Sequence, residues 1–300
     1  MNNAEGLAEA LQLATAKLTA SGVPSPKVDA EILAAHLSGK TLGEIRAAVL
    51  LNAPVPAGFA ELVAERAQRI PLQHLTGVAY FRHLELAVGP GVFIPRPESE
   101  GVAQLAINFL AAQVELTAPV VVDLGTGSGA LAAAIASEVP GSRVFAVELS
   151  DLAHDWAARN LARYGAQVEL RLGDLRSAFE DLDGLADVVL SNPPYIPDEA
   201  VPNEPEVAEH DPEIALYGGW ADGLELPRAA LASAVRLLKP GGLFVMEHAE
   251  VQAATMVRLF ENAGFGYVEG HLDLTGKERA TSGRLASNAR PTHPTDERMG

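Results

Sequence analysis

Apolar residues along this chain recur every three to four positions through the first seventy residues, and in short unbroken runs alternating with helical stretches after residue 119. Leu7, Leu11, Leu13, Ala14 and Leu18 mark a first helix that stops at Ser21-Gly22-Val23-Pro24. Ser25 and Pro26 then read as the N-cap and first-turn proline of a helix through Val28, Ile32, Leu33 and Leu37, ended by Ser38-Gly39. Shorter helices are predicted over 42–51 and 57–69, so the N-terminal part reads as a small helical bundle. From residue 75 to 100, Thr76-Gly77, Gly89-Pro90-Gly91 and Pro95-Arg96-Pro97 punctuate extended runs at 78–81, 84–88 and 92–94, which suggests a β-hairpin linker. A helix over 102–112 follows.

From Pro119 the rhythm is strand, helix, strand, the pattern of a mostly parallel sheet covered on both faces. Strands are predicted over 120–124, 143–149, 167–172, 186–191 and 243–247, with two more near 266–273 and 279–285. Helices are predicted over 130–138, 151–164 (capped by Ser150), 227–238 (stopped by Lys239-Pro240-Gly241-Gly242) and 250–262. Residues 196–225, with four prolines and Gly218-Gly219, read as a long loop, of the kind that is either a functional lid or disordered. The expected division is a helical domain at 1–74, a linker at 75–100, a catalytic domain at 101–285 and a disordered tail at 286–300.

Composition narrows the field. A formal net charge of −17, from 39 acids and 22 bases, is the wrong sign for a sequence-independent binder of nucleic-acid phosphates. The absence of cysteine excludes disulfides, thiolate metal sites and cysteine nucleophiles. Eight scattered histidines show no ligand spacing, so no metal is expected. No basic leader opens the chain, and no apolar run approaches the ~18 residues of a membrane span, so a cytoplasmic protein is expected.

Two stretches carry candidate chemistry. Val121 to Ala130 is a strand entering a glycine-rich turn that opens a helix, and Gly125, Gly127 and Ala130 satisfy G-x-G-x-x-G/A. Glu148, 23 residues beyond Gly125, stands where an acid accepts hydrogen bonds from ribose hydroxyls. These residues mark an adenosine-containing ligand without separating dinucleotides from S-adenosyl-L-methionine. The second stretch is Asn192-Pro193-Pro194-Tyr195 after the strand at 186–191. Two prolines cannot continue into a helix, so the strand ends in a rigid extended lip. There the Asn192 side-chain oxygen and the Pro193 carbonyl are acceptors suited to a planar amine, and the Tyr195 ring is a stacking face.

The spacing Gly125-x-Gly127-x-Gly129 resembles the first motif of class I methyltransferases, and Gly173-Asp174-Leu175 stands where that class holds adenine. Over residues 29–279 the chain resembles the N5-glutamine methyltransferases of peptide chain release factors (the PrmC/HemK family). The likeness rests on Asp29-Ala30-Glu31-Ile32-Leu33, Pro71 to Gly77, Gly91-Val92-Phe93-Ile94-Pro95-Arg96-Pro97-Glu98, Gly125 to Gly129 and Asn192 to Tyr195, with later matches at Glu213 to Leu216, Asp222 to Leu224 and Asp273 to Gly276. Ser99 replaces a usual Thr, Glu148 a usual Asp, and Glu247-His248-Ala249 a usual Glu-Ile-Gly.

The resemblance implies an α/β fold: a Rossmann-like seven-stranded class I methyltransferase sheet with a small N-terminal helical domain and a β-hairpin linker. It implies S-adenosyl-L-methionine as methyl donor and S-adenosyl-L-homocysteine as product, bound by Gly125, Thr126, Gly127, Ser128, Gly129, Glu148, Asp174, Leu175 and Asn192. It implies catalysis at Asn192, Pro193, Pro194 and Tyr195, with Arg96 and Glu98 joining them in substrate binding. The protein partner implied is a release factor, gripped away from its Gly-Gly-Gln loop by the helical domain, and a monomer is expected. A DNA or RNA amino-methyltransferase shares the same lip and stays open as the alternative, although −17 offers it no basic target-recognition region. An oxidoreductase has no proton-donor or hydride-site residues to point to.

Overall fold

The computed structural model describes residues 6–113, 115–164 and 167–287. Its contacts divide the chain into two units, one comprising residues 1–78, 88–90 and 201–211 and the other residues 79–87, 91–200 and 212–300. No helix among the described residues is long and apolar enough to cross a membrane.

The first unit contains helices α1 (Leu7–Ala20), α2 (Pro26–Ser38), α3 (Leu42–Leu50), α4 (Phe59–Ala67) and the short α5 (Leu72–Thr76), which the apolar spacing had not marked. Leu7, Ala14, Leu18, Leu33, Ile45, Phe59 and Val63 meet in one core. Thr41 and Glu44 form a reciprocal capping box at the start of α3. Ser25 precedes Pro26 as expected but makes no side-chain cap bond, because its ψ of 56° departs from the extended geometry that aims a capping hydroxyl. Inside this unit the Arg66 guanidinium is buried between two carboxylates, Asp29 at 2.8 Å and Glu206 at 2.8 Å. Arg69 also binds Glu206, at 2.7 Å. Glu206 lies on a one-turn helix, Pro205–His210, within the stretch expected to be loop.

In the second unit, seven strands run in the order β5-β4-β3-β6-β7-β9-β8, where the labels denote β3 (Val120–Leu124), β4 (Arg143–Glu148), β5 (Val168–Leu172), β6 (Ala186–Ser191), β7 (Leu238–Glu247), β8 (Phe265–Leu272) and β9 (Glu278–Leu285). The first five are parallel, and β9 pairs antiparallel with both β7 and β8. Continuous burial of β3 and β6 reflects helices on both faces. One core holds α6 (Ser99–Ala111) and α7 (Ala130–Glu138), and the other holds α10 (Glu225–Leu237) and α11 (Ala253–Asn262). The seven-stranded class I methyltransferase architecture read from the sequence is therefore present.

Several local expectations differ. The hairpin β1 (Val78–Phe81) and β2 (Leu84–Ala87) forms, but Phe81, Leu84 and Leu86 are buried in the core of the second unit, so most of the stretch read as a linker is part of that unit. Val92 and Ile94 are buried without forming a strand: their alternation anchors a Pro-framed segment instead of pairing it. Helix α6 starts at Ser99, three residues before the predicted position, because Pro97 can open a helical turn that apolar spacing alone does not reveal. Lys239 to Gly242 do not simply stop a helix: they lie inside β7, where its register against β6 shifts. Of the expected tail, residues beyond 287 lie outside the described residues.

Removing one partner of a buried ion pair leaves the other charge desolvated, so Arg66→Ala should destabilise the helical unit by about 3–5 kcal/mol, measured by urea denaturation. Burial works against ionisation of Glu206, yet the bonds from Arg69, its own backbone and Arg66 hold its carboxyl at about 2, below its ordinary 4.5. The unfolded chain then binds the extra proton first, so this contribution is complete above about pH 4.5 and lost as pH falls toward about 2. In Glu206→Gln the acid-induced loss of stability should be shallower over that interval.

Candidate active site

The site is assembled where the strand order reverses. The chain runs β3, β4, β5 in one direction and then returns to place β6 on the other side of β3. Open α/β sheets leave a crevice at such a switch point, outside the carboxyl ends of the strands. Leu124 pairs with Ser191 across β3 and β6, so Gly125 and Asn192 leave the sheet side by side. The Ser191 hydroxyl donates to the Leu124 carbonyl at 2.7 Å and fastens the two strand ends.

On the β3 side, Gly125 and Gly127 adopt φ of 75° and 58°, a region that side chains disfavour, and a Cβ at either would meet nothing within 4 Å. The turn is therefore open above its backbone. The N–H groups of Gly125 and Thr126 donate to the Val147 carbonyl, and α7 begins just beyond the turn. Glu148, at the end of β4, accepts from the Gly127 N–H and the Ser150 N–H, both at 2.8 Å. Each of its oxygens is fixed by one donor and retains lone pairs for ribose hydroxyls. Asn160 clamps the turn from α8 (Asp151–Arg163), donating to the carbonyls of Ser128 and Ala87 and accepting from the Ala87 N–H.

Asp123 lies under the turn, fully buried. It accepts from the Thr126 hydroxyl at 2.6 Å and the Ala132 N–H at 3.1 Å, while its Oδ1 has no partner. Burial pushes its carboxyl up to about 7; the two hydrogen bonds partly oppose that, and the charge of Glu148 adds to it. Asp174, after β5, receives the Arg176 N–H at 2.8 Å and its guanidinium at 3.0 Å; no helix starts there for it to cap. The Gly173 N–H ties that corner to the Glu148 carbonyl. The Leu175 side chain packs in the core, so its backbone is the part left to face a ligand. An open positive-φ turn, a ribose-height carboxylate and an acceptor at the next strand end fit an adenosine-bearing cofactor.

On the β6 side, the lip is held from several directions. Ile196 bridges to Tyr217, and the Gln252 amide donates to the carbonyls of Tyr195 and Asp222 at 2.8 and 2.9 Å. A Cβ at Gly218 would lie 2.6 Å from the Pro194 carbonyl oxygen, so only glycine permits that approach. The stretch read as a mobile lid thus buttresses the lip on the 212–224 side. The Asn192 amide nitrogen donates to the Ser99 hydroxyl at 3.0 Å, leaving Oδ1 and the Pro193 carbonyl without a donor among the described residues. Ser99 in turn donates to buried Glu247, and the Tyr195 hydroxyl donates to the other Glu247 oxygen at 3.2 Å. Burial drives the Glu247 carboxyl up to about 7, and burial beside that carboxylate raises the Tyr195 phenol as well. Glu98 immediately precedes Ser99 and its charge reaches Glu247. Arg96 stacks its guanidinium 5.2 Å from the centre of the Phe93 ring.

Asp123, Ser99, Glu247, Asn160 and Gln252 received no role from the sequence. Ser99 stood out only as a departure from the family pattern, and Glu247 only as the matching residue beside the departures at His248 and Ala249. The available signal was an acid at or one residue before the end of an apolar strand, Asp123 in β3 and Glu247 in β7.

Residues 9–77 match the family described as the PrmC N-terminal domain, and residues 83–207 match the methyltransferase small domain. A relative from Streptomyces coelicolor named release factor glutamine methyltransferase is 50% identical over 282 residues, covering 93% of this chain and 98% of its own. A relative from Streptomyces pristinaespiralis, named 4-amino-L-phenylalanine/4-methylamino-L-phenylalanine methyltransferase, is 41% identical and covers 86% and 88%. Among solved structures, the hMettl16 catalytic domain in complex with MAT2A 3'UTR hairpin 6 superposes with a TM-score of 0.51 at 14% identity, covering 78% of this chain and 84% of that one, a likeness of fold alone. The chain belongs to the release factor glutamine methyltransferase family.

Proposed function

We propose that the chain transfers a methyl group from S-adenosyl-L-methionine to the side-chain amide nitrogen of the glutamine in the Gly-Gly-Gln loop of peptide chain release factors, leaving N5-methylglutamine and S-adenosyl-L-homocysteine. The observation that carries this reading is the Asn192 carboxamide, tied through its nitrogen to Ser99 so that Oδ1 and the carbonyl of the next residue, Pro193, are both left as acceptors. Two acceptors suit the two N–H groups of a primary amide.

Gly125, Thr126, Gly127, Ser128 and Gly129 would cradle the cofactor, Glu148 its ribose, and Asp174 with the Leu175 backbone its adenine. That cofactor supplies a methyl group on a sulfonium, an electrophile with a neutral leaving group. The remaining work belongs to the protein. A carboxamide nitrogen is a weak nucleophile because its lone pair is delocalised into the carbonyl. Asn192 Oδ1 and the Pro193 carbonyl accept its N–H groups, fix its plane and favour the build-up of positive charge on nitrogen as the new bond forms. Pro194 stiffens the lip, and the Tyr195 ring, held by Glu247 through its hydroxyl, packs against the flat amide. The displaced proton passes to solvent. Arg96 and Glu98 flank the substrate from the segment that leads into α6.

A cytoplasmic, monomeric enzyme is part of the same proposal, with the helical unit gripping the release factor away from its loop. The second reading is methylation of an aromatic amine, which the pristinaespiralis relative favours by its name; the release-factor reading stands on higher identity over nearly the full length of its relative.

Intact-mass and peptide mapping of a release factor incubated with S-adenosyl-L-methionine should show one added methyl on the Gly-Gly-Gln glutamine. Modification of 4-amino-L-phenylalanine or of an oligonucleotide in its place would overturn the assignment. Asn192→Ala should slow methyl transfer by about 10²-fold or more, the scale of one lost positioned contact, with the cofactor Kd by calorimetry changing far less. An intact release factor should also show a lower KM than a short Gly-Gly-Gln peptide in steady-state assays; equal values would remove the helical unit from substrate binding.

A further inference from the structure

We propose that Ser99 and Glu247 are positioning residues that hold the Asn192 carboxamide in one of its two orientations, with Oδ1 toward the substrate. The proposal rests on the methyl-transfer reading above and goes beyond it, because neither residue reaches the reacting atoms.

A carboxamide is nearly symmetric in shape but opposite in polarity at its two ends. Flipped, Asn192 would present an N–H to the substrate's own N–H. Nothing in the rigid Pro-Pro lip prevents this, since prolines fix the backbone and leave the Asn192 side-chain torsions free. The polarity is set instead by a chain of three hydrogen bonds inside the second unit. An ionised carboxylate only accepts, so Glu247 takes the proton of Ser99 on one oxygen and that of Tyr195 on the other. Ser99, having donated, presents lone pairs, and these select the Asn192 nitrogen over its oxygen. A protonated Glu247 could donate to Ser99, whose hydroxyl would then turn toward Asn192 and engage Oδ1, the acceptor the substrate needs. The whole chain is buried or half-buried, where an unpartnered polar group is costly, so each direction propagates to the next.

Other charged groups face this carboxylate. Glu98, at the start of α6, opposes its ionisation, and Arg279 of β9, paired with Asp273, favours it. Tyr195 stays a phenol, and His248, next along β7, is turned to Thr281 and disfavours a charge through burial. The group within this cluster that changes charge near neutrality is thus Glu247, with burial placing its carboxyl at about 7. Its carboxyl pKa is raised, so the carboxylate fills as pH rises, and kcat should rise with it.

Ser99→Thr and Ser99→Val are matched in size and differ in the hydroxyl. With saturating S-adenosyl-L-methionine and release factor, Ser99→Thr should keep kcat within about threefold of wild type, while Ser99→Val should lose roughly tenfold or more, the effect of one hydrogen bond of about 1.4 kcal/mol. Cofactor Kd should be the same in both, which also reports that both fold. In Glu247→Gln the rise of kcat with pH around neutrality should vanish. A Ser99→Val enzyme that turns over like Ser99→Thr, or a Glu247→Gln enzyme that retains the wild-type pH limb, would overturn the proposal. Wild-type enzyme that fails to methylate the release factor would instead sink the functional reading, so the two failures are told apart by the control.

Discussion

The pairing of Leu124 with Ser191 is the constraint on which the site depends. Both strands are buried on both faces, and a one-residue slip would exchange the side chains fitted into the two core layers. Their register is therefore fixed by the core, well away from any ligand. Since parallel neighbours end at the same height, the glycine turn and the Asn-Pro-Pro-Tyr lip must emerge together at the switch point. On the proposed reading, a cofactor seated on one and an amine held by the other would be brought into reach by sheet geometry alone. The Ser191 hydroxyl bond to the Leu124 carbonyl secures the last residue of that pairing.

Around this frame the polar side chains each have a definite load. Asn160 joins the hairpin to the glycine turn, Gln252 joins the lip to the 218–224 turn, and Ser99 joins α6 to Asn192. The Pro95-Arg96-Pro97 segment gains meaning from the last of these. Its stiffness fixes where α6 begins, and hence where the Ser99 hydroxyl stands. The serine that directly follows Pro-Arg-Pro-Glu and the asparagine that opens Asn-Pro-Pro-Tyr, far apart in the chain, thus share a hydrogen bond.

Legibility in the sequence followed how local the signal was. The strand–helix rhythm, the glycine turn and the double proline are written in adjacent residues, and the sheet, turn and lip stand where they were expected. The capping of α8 by Ser150 was equally local, while Ser25 showed that a capping residue in the right place need not bond. The supports of the site were hidden because each is one polar residue recruited across the fold. Ser99 lies 93 positions from Asn192 and 148 from Glu247, distances over which no periodicity carries information. The 196–225 stretch misled for a related reason. Prolines and glycines suggest mobility, whereas here Gly218 permits a tight backbone contact, and Glu206 belongs to the ion-pair cluster of the helical unit.

The acceptor pair at the lip explains why such heavy bracing is needed. On the proposed reading, any planar amine with two N–H groups would satisfy Asn192 Oδ1 and the Pro193 carbonyl, so the pair would set the kind of atom attacked and little else. An aromatic amine still has a partly available lone pair. A carboxamide has far less, and the energy to localise it must come from acceptors already in place when the methyl arrives. A lip whose asparagine sampled both orientations would present the right acceptor only part of the time, and the lost fraction would reduce the rate directly. Burying a carboxylate at Glu247 carries a desolvation cost that a surface residue would avoid. That cost is understandable if its ionised form is what gives the serine, and through it the asparagine, a single direction.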